Sequence, residues 1–319
     1  MSNVKIVYVS GCLGFIGSYI TKACLNKGWY VYGVDKLTYA ANIELLEEFK
    51  TYSNFAFTNK AIENLEKLYD CDYFINTAAE THVGNSILDS SKFIDSNVIG
   101  VHNLLNLLKK SNVDTNKFPT FFHLSTDEVY GDIIDGSHDE TSTLEPSNPY
   151  SATKACSDML ILAWARTYNI PYIILRPTNN YGIGQYVEKL IPKCCKYLQL
   201  GKKLALHNKG QSYRTWLHAS DTANAVIKII ESNKKNEIFN ISSQFELTNI
   251  EVCNKLAKFY FENSNSFENL WDFSYERPGQ DLRYSLDDSK LRSLGWKEEA
   301  NFDDEIIKIA NYYKNRFIW

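Results

Sequence analysis

The stretch "LSTDEVYG", Leu124 to Gly131, sets Asp127 and Glu128 side by side just after the apolar run Phe121-Phe122-His123. Two carboxylates held close together repel. That raises one pKa and supplies a protonated acid beside an ionised base. Read alone, Ser-Thr-Asp-Glu is also what a helix N-terminus favours through capping and the dipole. A second chemical feature is "NPYSATKA", where Tyr150 and Lys154 stand four residues apart at the front of a helical stretch. That spacing puts phenol and ammonium on one face, and a nearby cation lowers a Tyr pKa so that it acts as a base toward a hydroxyl. Tyr32 and Lys36 share the spacing along a strand, so the pair by itself carries little. Its place one helical segment after "LSTDEVYG" gives it weight.

A third feature is "VYVSGCLGFIGS", with Gly11, Gly14 and Gly17 in the pattern G-x-x-G-x-x-G between an apolar run and a helical one. Glycine permits a tight turn and close approach of a pyrophosphate, and the following helix aims its N–H groups at the anion. Asp35 ends the next strand about 20 residues on, where its carboxylate accepts from ribose hydroxyls and disfavours a 2′-phosphate, so NAD is preferred over NADP.

These features need a scaffold, and the pattern supplies one. Strands are expected at 4–9, 30–34, 73–75, 120–124, 172–175 and 238–241, separated by helical stretches that include 15–25, 91–110 and 151–168. Alternation of this kind predicts an α/β fold, a parallel sheet covered on both faces. After about Thr178 the pattern loosens into Gly-, Asn- and Lys-rich loops and aromatic-rich helices, read as a smaller C-terminal lobe over the carboxyl ends of the strands, where ligands bind.

The chain has 319 residues, room for two lobes. Its formal net charge is -4 and its Lys and Arg are scattered, which gives no footprint for nucleic acid or an anionic membrane. Seven Cys with no C-x-x-C read as reduced structural thiols. Six His without ligand spacing give no metal site, and His123, inside a strand, reads as a core residue. No apolar run reaches the ~18 residues of a membrane span and no cleavage signal follows the N-terminal run. The expected location is the cytoplasm.

The motifs "SGCLGFIGS", "VDKLTYAAN", "AAETHVGNSI", "STDEVYG", "NPYSATKA", "NNYGIGQYVEKLIPK" and "RPGQDLRYSLD" occur in one order along the chain. In that order they resemble the extended short-chain dehydrogenase/reductases, and within them the nucleotide-sugar 4,6-dehydratases of the dTDP-glucose or UDP-glucose type. The resemblance implies a Rossmann-like doubly wound parallel sheet with a smaller substrate-binding lobe. The dinucleotide domain spans 1–178 plus about 217–246, and the lobe about 179–216 and 247–319. It implies NAD as cofactor, held by Gly11, Gly14, Phe15, Ile16, Gly17, Asp35, Lys36, Thr38, Ile62, Ala78, Ala79, Tyr150 and Lys154. Tyr150, with Lys154 and Thr126, would take the proton of the sugar 4-hydroxyl while hydride passes to NAD. Glu128 would remove the carbon 5 proton, Asp127 would protonate the departing 6-hydroxyl, and the hydride would return to carbon 6.

Thr81, Ser86, Thr126, Asn180, Glu188, Lys189, Leu190, Arg214, Asn240 and Arg277 match substrate-binding positions. The partners implied are a nucleotide-diphosphoglucose and a second copy of the chain, packed through 91–110 and 151–168 into a homodimer. The sequence departs from the family pattern at Ala61, where an adenine-binding Asp is common, and at Gly84-Asn85, Thr215 and Gln280. Two rival readings are a 4-epimerase or decarboxylase on the same scaffold, against which the Asp-Glu pair argues, and a catalytically silent NAD-binding scaffold protein.

Overall fold

The structure is a computed structural model, and it describes residues 4–115, 118–262, 266–275, 278–279, 281–314 and 316. From the N-terminus the chain runs β1 (Ile6–Ser10), α1 (Phe15–Asn26), β2 (Tyr30–Asp35), α2 (Ile43–Lys50), β3 (Phe55–Asn59), β4 (Tyr73–Asn76), α3 (Val83–Leu88), α4 (Ser91–Phe93), α5 (Gly100–Thr115) and β5 (Thr120–Leu124). It continues through α6 (Pro149–Tyr168), β6 (Tyr172–Pro177), β7 (Asn179–Tyr181), α7 (Leu190–Gln199), β8 (Leu204–Ala205), β9 (Tyr213–His218), α8 (Ala219–Glu231) and β10 (Glu237–Ile241). It closes with β11 (Glu246–Thr248), α9 (Asn249–Tyr260), β12 (Trp271–Asp272), α10 (Ser289–Arg292) and α11 (Phe302–Lys314).

Seven strands form one parallel sheet in the order β10-β6-β5-β4-β1-β2-β3. The direction of winding reverses between β1 and β4, and the crevice beyond their carboxyl ends is where a doubly wound sheet binds ligands. Residues alternate between two cores, as period-two side chains must. Val7, Val9, Ile75 and Phe122 pack with Ile20, Cys24 and Val226 on one face. Tyr8, Phe74, Phe121 and Ile174 pack with Val101, Leu104, Leu108 and Ile161 on the other. The pattern reading missed β3, whose half-exposed edge sequence "FAFTN" gives little burial signal.

The remaining strands make a three-stranded sheet, β11-β9-β7, and a two-stranded one, β12-β8. With α7, α9 and α11 they enclose a separate core that includes Tyr181, Cys194, Trp216, Leu256, Phe302 and Ile309. The helix expected over 91–110 is interrupted. Residues 94–99 form a π-helical turn between α4 and α5, a feature common at functional sites. The widened turn buries Asn97, whose amide bonds Glu80 N, Glu80 O and Thr153 Oγ1 and so ties the turn to α6.

Candidate active site

The glycine turn is shaped as its spacing implies. Gly11 has φ 71°, and a Cβ there would lie 2.8 Å from Ala78 N. A Cβ on Gly17 would lie 2.0 Å from Gly11 O, so α1 starts against the strand only because glycine stands there. Gly14 caps α1 without any side-chain acceptor, which leaves the helix N-terminus to face an anion. Asp35, at the end of β2, accepts from Leu13 N (3.0 Å) and Leu37 N (2.9 Å), and its burial raises its pKa.

These residues line a cavity of about 290 Å³ at the switch point. Gly11, Gly14, Phe15, Ile16, Gly17, Asp35, Lys36, Thr38, Ile62, Ala78 and Ala79 form one end. Thr126, Asp127, Glu128, Tyr150 and Lys154 form the floor. Thr81, Asn180, Glu188 and Lys189 come from the two sides of the mouth, where Lys189 Nζ donates to Thr81 O at 2.9 Å.

The "STDE" segment is both a capped turn and a chemical group. Thr126 caps a short 3₁₀ turn, accepting from Glu128 N at 3.3 Å, and donates to Asp127 Oδ1 at 3.0 Å. Asp127 is buried, and its Oδ2 has no hydrogen-bond partner among the described residues. Burial first, and the charge of Glu128 second, push its pKa up to about 7. Glu128 is only partly buried and accepts from Asn148 Nδ2 at 3.2 Å. Asn148 also caps α6, accepting from Ser151 N at 3.0 Å, so one amide ties Glu128 to the helix that carries Tyr150 and Lys154. Asn148 escapes a reading of the sequence because an N-cap Asn is ordinary.

The structure corrects the expectation for Tyr150. Its pKa is raised, not lowered, because burial dominates and Glu128 and Asp127 add repulsion. Only a hydrogen bond to Thr126 pulls it down, and that hydroxyl, with one proton, also serves Asp127. The Lys154 ammonium is partly committed elsewhere, donating to Leu124 O at 2.7 Å and meeting His123 Nε2 at 3.2 Å. Burial lowers its pKa to about 8, against the opposing pull of Asp158.

Four expected substrate residues lie outside the cavity lining. Asn240 is buried in β10, where its amide donates to His138 O (3.0 Å) and Asp287 O (3.1 Å) and accepts from Tyr130 (2.9 Å). Both side-chain polar atoms are thus engaged within the fold. Ser86 donates to Val83 O and accepts from Tyr150 N, so it steadies the start of α6. Leu190 opens α7 and packs on the lobe core. Arg214 donates to Tyr213 O and Asp281 O and lies over the Tyr284 ring at 4.4 Å, close enough to lower the pKa of Asp127. Arg277 and Gln280 lie outside the described residues. One cavity residue has no motif to announce it. Glu63 stands two residues after Ala61, and its Oε2 is buried with no partner among the described residues.

A doubly wound sheet with a glycine-lined anion site and an acid–base floor at its switch point defines a Rossmann-like α/β protein built for chemistry. The family model described as GDP-mannose 4,6 dehydratase matches residues 8–309, and the chain belongs to that family. The dTDP-glucose 4,6-dehydratase of Haemophilus influenzae is 37% identical over 328 residues, covering 96% of this chain and 97% of the relative. A trifunctional protein of Arabidopsis thaliana that includes UDP-glucose 4,6-dehydratase is 34% identical, over 99% of this chain and 48% of its own length. The crystal structure of DesIV, a dTDP-glucose 4,6-dehydratase from Streptomyces venezuelae with NAD bound, superposes with a TM-score of 0.88 at 34% identity, over 97% of each chain. Among the described residues no cluster of potential metal ligands occurs, and no helix is long and apolar enough to cross a membrane.

Proposed function

We propose that the protein is an NAD-dependent hydro-lyase that dehydrates a nucleotide-diphosphoglucose, dTDP-glucose or UDP-glucose, to the 4-keto-6-deoxyglucose nucleotide. The observation that carries this reading is the unequal pair on the floor. Asp127 is buried, holds its pKa near 7 and has an oxygen with no partner among the described residues, while Glu128 is more open and fixed by Asn148. An epimerase needs no such acid–base pair, and a silent scaffold has no use for one.

The cavity fits NAD at its glycine end, where Gly11, Gly14 and Gly17 leave room for a pyrophosphate at an uncapped helix start and Asp35 meets the ribose. The chemistry NAD supplies there is storage of one hydride, taken from carbon 4 of the sugar and returned at carbon 6. Lys36 is flanked by Glu63 at 3.8 Å and Glu80 at 3.6 Å, so its charge is already answered and does not invite a 2′-phosphate. Glu63 supplies the acceptor for the adenine amino group that Ala61 lacks.

Tyr150 takes the proton of the 4-hydroxyl as a phenolate and becomes the neutral phenol. Before that transfer Thr126 turns its single hydroxyl proton from Asp127 to the phenolate, and the ammonium of Lys154 supplies the nearby positive charge. Oxidation acidifies carbon 5, from which Glu128 removes the proton. Asp127, which burial keeps protonated up to about pH 7, gives its proton to the departing 6-hydroxyl, which leaves as water. Glu128 returns a proton to carbon 5. Lys189, Arg214 and Arg277 carry the charge complementary to a diphosphate.

We further infer a cytoplasmic homodimer. Its seven cysteines are free, and Ile94, Ile99 and Met159 expose apolar side chains beside α5 and α6. Sedimentation of Met159→Glu as a monomer checks the interface, and an unchanged dimer rules it out. The reaction is tested by incubating the protein with dTDP-glucose and with UDP-glucose and following the products by NMR. A galacto product or no product sinks the reading. Glu128→Gln is expected to oxidise carbon 4 yet fail to exchange the carbon 5 proton with solvent; full dehydration by this variant would take the base role from Glu128.

A further inference from the structure

Behind Lys154, on the side away from the cavity, a buried row of polar side chains runs through the centre of the sheet. Ser10 on β1, Asn76 on β4 and His123 on β5 are register partners on adjacent strands. Ser10 Oγ donates to Asn76 Oδ1 at 2.6 Å, Asn76 Nδ2 lies 3.1 Å from His123 Nδ1, and His123 Nε2 lies 3.2 Å from Lys154 Nζ. The first three are wholly buried and Lys154 is 2% exposed. The reaction assigned above uses none of the three, and a β-sheet interior offers no reason to bury them that an apolar row would not serve better.

Hydrogen-bond bookkeeping couples this row to Lys154. An amide NH₂ can only donate, so a His123 Nδ1 that faces it accepts, and the ring proton sits on Nε2. An Nε2–H can meet an amine but not an ammonium. When Lys154 is charged, Nε2 must accept, the ring proton moves to Nδ1, and Asn76 must present its oxygen there and its NH₂ to Ser10 Oγ. Because the two ends of an amide occupy nearly the same space, identical heavy-atom positions serve both directions. In the charged state the ammonium has two acceptors, Leu124 O and His123 Nε2, and its third N–H is left for the cavity.

We propose that His123 is a positioning residue that holds Lys154 as an oriented ammonium, and that the row Ser10–Asn76–His123 reverses its hydrogen-bond direction whenever Lys154 gains or loses its proton. The surroundings allow this. His123 is kept neutral by burial and by the adjacent Lys154, and its ring otherwise meets Phe121. Lys154 is faced on its own helix by Asp158, whose carboxylate is paired with Arg176 of β6 at 3.0 Å, and it lines the cavity together with Tyr150, Asp127 and Glu128. Lys154 itself titrates near 8, so both directions of the row are populated close to neutrality.

The inference rests on the dehydratase reading for what Lys154 does to Tyr150, but its first test does not. Nitrogen-15 spectra of the His-labelled wild-type protein, recorded from about pH 6 to about pH 10, are expected to show His123 neutral throughout. Its proton should sit on Nδ1 in the acid half and on Nε2 in the alkaline half. One unchanging tautomer across the range overturns the reversal. The second test follows single-turnover oxidation at carbon 4 in the Glu128→Gln background, where elimination is blocked and Asp127 is not called on to deliver its proton. His123→Leu is expected to move the alkaline limb down by about one pH unit and cost about fivefold at pH 8, while His123→Gln, which keeps an acceptor, restores most of both. A uniform loss with an unshifted profile means that His123 merely packs. If the wild type turns over neither sugar nucleotide, the dehydratase reading fails while the tautomer still decides the row, and if His123→Leu does not fold, His123→Gln and the titration decide it.

Discussion

Tyr8, Phe74 and Phe121 lie in register on β1, β4 and β5, and two residues further along the same strands lie Ser10, Asn76 and His123. Both rows are buried on the face covered by α5 and α6. The first is a stack of rings, with Tyr8 and Phe74 5.4 Å apart and Phe74 and Phe121 5.8 Å apart. The second is a chain of hydrogen bonds that ends on Lys154. One step of the pleat along the strands therefore separates apolar packing, which any rings of the right volume satisfy, from a polar line that works only if every donor finds its acceptor. The polar row is the one at the carboxyl ends, where the sheet meets the cavity.

The sharpest break in the comparison comes from the cavity side. Asp127→Asn is expected to lower turnover about 10²- to 10⁴-fold and at the same time to stabilise the protein at alkaline pH. In the folded state the Asp127 pKa stands near 7 against an ordinary value of 3.8, so the native protein holds the proton more tightly than the unfolded chain. The stability this provides is complete below the unfolded value and is lost as pH rises through about 7. Since Asn has no such loss, urea unfolding should find the variant ahead by about 2–4 kcal/mol at pH 8 and by less at pH 5. An equal difference at both pH values contradicts the assignment.

The aromatic row should behave in the opposite way. Phe74→Ala is expected to cost about 3–5 kcal/mol in denaturant unfolding while the molecules that remain folded keep the wild-type pH profile. A displaced profile would mean that the two rows are coupled. The smallest effect is expected at the glycine end of the cavity, where Glu63→Ala should weaken NAD about five- to tenfold in calorimetry, as the loss of one buried acceptor implies, with no change in the KM of the sugar nucleotide. Unchanged NAD affinity would leave the adenine amino group to another partner.

Much of the architecture was legible in the chain itself because it rests on local, periodic signals. The glycine turn, the strand–helix alternation and the loosening after Thr178 correspond to β1–α1–β2, the parallel sheet and the second core. The edge strand β3 and the π-helical turn at 94–99 were not legible, since one is half exposed and the other depends on where Asn97 must reach. The motifs led directly to the cavity floor and to the glycine end. They gave no sign of Asn148 or Glu63, whose importance comes from a neighbour distant in sequence, and they led away from the cavity at Asn240, whose partners lie on three other segments. His123 read as core, and it is core, but its ring nitrogens are where the sheet and Lys154 meet.

What the sequence determined by itself was the inventory and its order: glycines where a Cβ would clash, an acid at the end of β2, two adjacent carboxylates, and a phenol and an amine one helical turn apart. Which carboxylate keeps its proton, which way the phenol's pKa moves and what holds the amine were decided only by the tertiary structure. Those outcomes depend on desolvation and on the few ångströms between groups brought together from β1, β4, β5 and α6. Neither quantity exists until the chain is folded.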